Sequence, residues 1–406
     1  MTANKKVLLC GGGNAIHVLT AYIGSLPDCD VLVFSSFPGE ADRFREALPE
    51  EGITCTNDLG DDMIGKPVKV SDKAEEIVPG ADVIILAIPS FAHELYLRLL
   101  APYVKPGVVI GAMPAEGGFD LCARHVLGAD FVDQSNIFAL ETLPWACRIV
   151  EYGKTAEVLG TKVEIDFVMT EGPGNNAECM SLLQRLIGRL PELKPACNFL
   201  AVTLMNINSV WHPTISYAFY RNWDGKTPFD EPPLFYYGAD EYTGEKLAKV
   251  SDEVLAIRTA IQEKYPDLDL SSLHHVRDWM LRSYGDDIGD KTNIHTMLIT
   301  NKGYRGLTHP MMKVETPEGT KYTPNFGYRY FSEDIPMGLC VTKGIAELAG
   351  VPTPNMDDVI VWCQEQMGKE YVIEGKFVGK DITSTRSPQT YGFTDLHSFL
   401  EANRYI

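Results

Sequence analysis

The 406-residue chain has no CxxC pair, no surplus of basic charge, and no apolar run near the ~20 residues that span a bilayer. Each absence removes a class of protein. Nine cysteines scattered without metal-like spacing to histidine exclude a disulfide framework and a zinc site. The opening MTANKK is followed by only four apolar residues, so no secretory leader is expected, and unpaired cysteines fit a reducing cytosol. A formal net charge of −19 argues against nucleic acid or an anionic membrane surface as partner. No repeat and no low-complexity tract is evident. With 45% hydrophobic and 22% charged residues, the chain is long enough for two buried cores.

The first half alternates short apolar runs with helix-length segments. KVLLC (6–10), CDVLVFSS (29–36), ADVIILAIP (81–89) and GVVIGAM (107–113) read as strands. Segments 14–25, 39–48 and 90–104 between them read as helices. Apolar strands joined by helices mean a parallel sheet covered on both faces, a doubly wound α/β domain. The spacing predicts one long apolar helix over 196–212, and further helices over 242–264, 271–284 and 335–350. Aromatic, proline-rich stretches at 220–238 and 321–338 separate them. The expected organisation is a dinucleotide-binding domain over 1–198 and a mainly helical domain over 199–406.

LLCGGGNAIH (8–17) sets three glycines between a strand and a helix. Gly11 and Gly13 fit the first two positions of GxGxxG/A, with Asn14 and Ala15 opening the helix. The first glycine supports the turn; the second clears space for pyrophosphate at a helix N-terminus, whose N–H groups and dipole favour an anion. Ile16 stands where a third small residue is usual. No acid ends the second strand to grip the ribose; Ser35 and Ser36 remain as hydrogen-bonding groups, and Arg43 and Arg45 leave a 2′-phosphate open.

Three further segments carry chemistry. His212 lies between Trp211 and Pro213 at the expected helix C-terminus, where the dipole favours a protonated imidazole. Met205 and Asn208 share or neighbour its face. GYRYFSEDIPMG (327–338) holds Arg329, a fork for a carboxylate, with Glu333 and Asp334, acids able to orient a histidine. ALETLPWACR (139–148) carries Glu141 and Cys147 toward the carboxyl side of the sheet, where open α/β folds bind ligands.

Read together, CGGGNAIH, AIPSFAHE with Pro89, LETLPWACR, WHP, FGYRYFSEDIPMG and GKDITSTRSPQTYGF closely resemble the opine dehydrogenases of marine invertebrates over nearly the whole chain. The resemblance implies a Rossmann-like NAD(H) domain, a helical opine domain and a cleft between them. It implies a monomer that condenses pyruvate with an amino acid and reduces the imine with NADH, reoxidising the coenzyme during anaerobic glycolysis. His212 then matches the general acid/base, Asp334 its partner and Arg329 the pyruvate clamp. Glu141 and Cys147 match positions that meet a guanidinium in arginine-using members; Met205 and Trp279 match pocket residues. Arginine, alanine, glycine and taurine serve different members. Glu141 as charge partner and Trp279 as a cation–π face favour arginine. A two-domain ketoacid reductase and a non-catalytic dinucleotide sensor are the alternative readings.

Overall fold

The computed structural model describes residues 4–172 and 176–406. They separate into two compact units: residues up to Ala115 with Phe119–Val202, and Glu116–Gly118 with Thr203–Ile406. The three-residue excursion at 116–118 leaves no mark in the hydrophobic pattern.

In the first unit the strands are β1 (Lys5–Cys10), β2 (Cys29–Phe34), β3 (Ile53–Thr56), β4 (Met63–Gly65), β5 (Lys69–Ser71) and β6 (Val83–Leu86). They continue as β7 (Val109–Ala112), β8 (Asn136–Leu140), β9 (Trp145–Glu151), β10 (Thr155–Thr161), β11 (Glu164–Met169) and β12 (Glu192–Pro195). Among the described residues eight of them form one sheet, in the order β12-β11-β8-β7-β6-β1-β2-β5. All its pairs are parallel except β11 with β8. β6 and β7, and β1 and β8 beyond their first polar residues, are apolar and buried because helices cover both faces. The chain leaves β1 for β2 on one side and later returns to β6 on the other, so the switch point lies between β1 and β6. The carboxyl ends of β1, β2, β6 and β8 bring Gly11, Ser35, Pro89 and Glu141 to the same edge.

A second, four-stranded sheet of order β4-β3-β10-β9 packs on the helix Asn14–Gly24. His17 fastens the two: its Nδ1 bonds Gly13 O at 2.9 Å, and Nε2 accepts the Gly153 N–H at 2.8 Å. That pattern requires a neutral ring, and burial pushes His17 down to about 4.

The second unit is mainly helical, with one hairpin of β13 (Met311–Thr316) and β14 (Gly319–Pro324). The helix expected over 196–212 is instead two, Phe199–Leu204 and Ile207–Tyr220. Asn206 makes the break: its side chain accepts from Ser209 N, and Ser209 Oγ donates to Asn206 O at 2.7 Å, so a fresh helix starts there. Nor does this helix stop at Pro213. Val210, Trp211, Ile215 and Ala218 bury its apolar face, and that burial carries the helix through the proline. No helix among the described residues is long and apolar enough to cross a membrane.

Candidate active site

In the first unit the glycine loop is built as an anion cradle. Gly11 has φ 116, and a Cβ there would stand 2.5 Å from Ile88 Cγ2 at the end of β6. Gly13 precedes the helix with no side-chain cap and with open space where its Cβ would be. The first-turn N–H groups are therefore left for a ligand. Gly11→Ala is expected to destabilise this unit by ~1–3 kcal/mol through backbone strain and overpacking. Calorimetry checks it; an unchanged melting temperature would show that the turn tolerates a side chain.

Ala15 and Ile16 are buried behind that loop, and Asn14 Oδ1 accepts from Ile149 N at 2.9 Å, so only its backbone faces the cradle. Pro89 caps the short turn Ser90–Ala92 that opens the helix after β6. The acid missing from the end of β2 is supplied six residues later. Glu40, first residue of the helix Glu40–Ala47, accepts from Ser35 Oγ and lies against Gly12. Ser35 is thus buried and committed to Glu40. Arg43 lies over the Tyr152 ring at 3.7 Å, and Arg45 pairs with Asp42 and Val70 O. The two arginines that left a 2′-phosphate open are therefore engaged elsewhere, and Glu40 sets a carboxylate beside the glycine loop, the charge type usual in NAD-binding loops. These residues fit a dinucleotide.

Glu141 is buried beyond β8; its N–H donates to Asp166 O and its Oε2 accepts from Asp166 N at 3.3 Å. Cys147 faces the core of the smaller sheet beside Trp145 and Val158, and burial pushes its thiol up to about 11. Both act on Lys162, whose ammonium donates to Leu143 O at 2.8 Å. Burial lowers Lys162 to about 8, while Glu141 and then Cys147 resist that fall.

In the second unit His212 sits in the second turn of Ile207–Tyr220. Its Nδ1 meets Asp334 Oδ2 at 2.7 Å, and Nε2 has no hydrogen bond among the described residues. Tyr330 stacks on the imidazole at 3.7 Å and 13°, and Phe235 packs edge-on at 5.7 Å. Asp334 reaches His212 because the wide turn Ile335–Leu339 lies hard against the helix. A Cβ on Gly338 would collide with Ser209 and stand 3.0 Å from Asn206 Nδ2. Arg329 begins the short helix Arg329–Ser332, largely exposed, its Nε 3.5 Å from the buried Glu333.

The dipole argument for a protonated His212 fails, because the ring is not at a helix end. Burial, then the Arg329 guanidinium, push it down to about 3, with Glu333 opposing. Burial and then Glu333 hold Asp334 well above the carboxylate range. Both directions express one cost, that of an uncompensated buried charge, so the two groups titrate as a unit. The uncharged state of that unit holds two protons, one in the Nδ1–Asp334 hydrogen bond and one on Nε2, its free end.

Trp279 is buried, edge-on to Trp211 at 6.3 Å and to Tyr284 at 6.0 Å. Met205 Sδ accepts from His274 N at 3.3 Å, five residues before that tryptophan. Tyr330, Glu40 and Glu116 are neighbours that sequence reasoning did not single out. Glu40 was findable as an acid one loop beyond β2, and Tyr330 as the ring between Arg329 and Asp334.

A family model described as NAD/NADP octopine/nopaline dehydrogenase, alpha-helical domain, matches residues 195–367. The tauropine dehydrogenase of Arabella iricolor is 41% identical over 97% of this chain and 99% of its own length. The chain belongs to the opine dehydrogenase family. The octopine dehydrogenase of Mizuhopecten yessoensis is 40% identical over 98% of this chain and 99% of its own. A solved octopine dehydrogenase with NADH and L-arginine matches with TM-score 0.90 at 39% identity, over 98% of both chains. Opine dehydrogenases that differ in amine thus stand at nearly equal distance from this member.

Proposed function

We propose that this chain is an NADH-dependent opine dehydrogenase that condenses pyruvate with the amino group of an amino acid, acting as a cytosolic monomer that regenerates NAD. The observation that carries this reading is the hydrogen-bonded His212–Asp334 pair beside Arg329. Gly11, Gly13 and the first-turn N–H groups would hold the pyrophosphate, and Glu40 the adenosine ribose. Bound NADH supplies the hydride that reduces the imine carbon.

The chain's own residues carry the rest. Arg329 receives the pyruvate carboxylate. That anion cancels the guanidinium field which, after burial, holds His212 down, so the keto acid itself raises the proton affinity of the imidazole. As the amine attacks the carbonyl carbon, Nε2 gives its proton to the oxygen, which becomes a hydroxyl. Nε2 then takes a proton from the newly bonded ammonium nitrogen and passes it to that hydroxyl, which leaves as water while the C=N bond forms. Asp334 stabilises the imidazolium and keeps Nδ1 facing away from the substrate. After reduction the pair recovers its proton from solvent. Met205 and Trp279 in the helical unit and Glu141 in the sheet unit are the candidates for the amine, whereas Cys147 is turned into the core of the smaller sheet and is set aside. The buried Glu141 carboxylate favours L-arginine, with taurine, alanine and glycine as the competing substrates.

The test is NADH oxidation with pyruvate and each of these amines. Turnover with pyruvate alone would favour a ketoacid reductase, and no turnover with any amine would reject the reading. For the coenzyme, Glu40→Gln is expected to weaken NADH about tenfold, since a hydrogen bond to a charged group is worth ~1.5–3 kcal/mol. The same substitution should narrow the preference over NADPH. Fluorescence titration of both coenzymes checks it; an unchanged ratio would remove Glu40 from the ribose site.

A further inference from the structure

Glu116 belongs by sequence to the first half but by contacts to the second unit. It is a non-glycine residue at φ 56, a left-handed backbone that glutamate adopts only at a cost. Two glycines follow it. A Cβ on Gly117 would stand 3.0 Å from Met337 O, and Gly118 N donates to Thr203 Oγ1 at 3.1 Å, so the segment is clamped between Thr203 and the turn after Asp334. The clamp drives the carboxyl inward. The residue is 6% exposed, its Oε1 lies 3.5 Å from Asn208 Nδ2, and its buried Oε2 has no hydrogen-bond partner among the described residues.

The groups around it set its charge. Asp334 and Glu333 face it from the 329–339 segment, Asn206 and Asn208 from the start of the His212 helix, and Arg386 from the C-terminal segment. Three buried carboxyls therefore share one neighbourhood. Like charges so confined cannot all ionise, and the one with an unpartnered oxygen is the poorest place for a negative charge. Burial, then Asp334 and Glu333, lift Glu116 to about 8 against the pull of Asn206 and Arg386.

We propose that Glu116 is a positioning residue that works as the neutral acid: by keeping its own proton it leaves the His212–Asp334 pair free to release one, and its ionisation closes the active pH range from the alkaline side. An ionised Glu116 would add a second negative charge beside Asp334. That charge would hold the pair's proton more tightly and oppose the entry of a keto-acid anion. This inference rests on the opine dehydrogenase reading for its activity arm alone.

The experiment compares wild type with E116Q, a permanently neutral isostere, in the NADH and pyruvate assay across pH. E116Q is expected to keep activity near pH 7 within about threefold, while its alkaline decline moves up by about one unit or disappears. Superimposable pH profiles, or a folded E116Q that is inactive at pH 7, would overturn the proposal. A second arm needs no turnover. A carboxyl raised on folding adds stability that is whole below the unfolded value of 4.5 and is lost as pH rises to about 8. E116Q should therefore melt above wild type at pH 8 and level with it near pH 4.5; equal melting at both would also overturn the assignment. If no amine is turned over while this melting difference appears, the functional reading fails and the neutral Glu116 stands.

Discussion

Replacing His212 with alanine is expected to lower kcat for pyruvate-dependent NADH oxidation by ~10²–10⁴ while leaving NADH affinity within about twofold. The reason lies in the protonation chemistry of the buried pair. The imidazole is held in one orientation by the 2.7 Å bond from Nδ1 to Asp334 and by the Tyr330 ring stacked on its face. Only Nε2 can reach a substrate. Without it, the donor proposed to turn the carbinol oxygen into water is lost. Asp334→Asn should cost nearly as much, because an amide keeps the shape but cannot stabilise the imidazolium or fix the tautomer. The two residues act as one unit, so the double variant His212→Ala/Asp334→Asn should be no slower than the worse single variant. Steady-state kinetics with separate NADH titrations decides this. Additive losses would mean that the hydrogen bond does not couple the two groups in catalysis.

Arg329→Met should act on a different constant. A hydrogen bond between charged groups is worth ~1.5–3 kcal/mol, so KM for pyruvate is expected to rise about 10- to 100-fold with little change in NADH binding. The guanidinium is mostly exposed and its acidic neighbour Glu333 lies at 3.5 Å, so a carboxylate can dock without first breaking a tight internal pair. A second consequence separates this role from mere charge balance. Because Arg329 opposes protonation of His212, its removal should raise the pH at which the free enzyme's pair releases its proton. A pyruvate KM that stays put in Arg329→Met would assign the carboxylate to another cation.

Several features of this molecule were open to a reader of the sequence. Continuous apolar runs at 6–10, 81–89 and 107–113 read as buried parallel strands, and glycines directly after the first marked its end as a candidate coenzyme loop. The segment 327–338 announced itself because so few charges stand among so many rings. Helix ends were less legible. Pro213 reads locally as a stop, yet the helix runs on to Tyr220, since burying Trp211, Ile215 and Ala218 outweighs one lost backbone bond. Asn206 broke a helix that apolar periodicity joined, because periodicity does not register a side chain bonding to its own backbone.

The chain's order of residues thus determined the two-part α/β and helical plan, and it singled out the glycine loop and His212, Arg329 and Asp334 as the candidates for coenzyme and chemistry. Only the tertiary structure decided their chemistry. Proton affinity depends on burial and on charges brought close from distant positions: Asp334 is 122 residues from His212, and Glu116 acts from a different half of the sequence. Local patterns record which faces avoid water; they do not record which carboxyl groups end up sharing the same dry space.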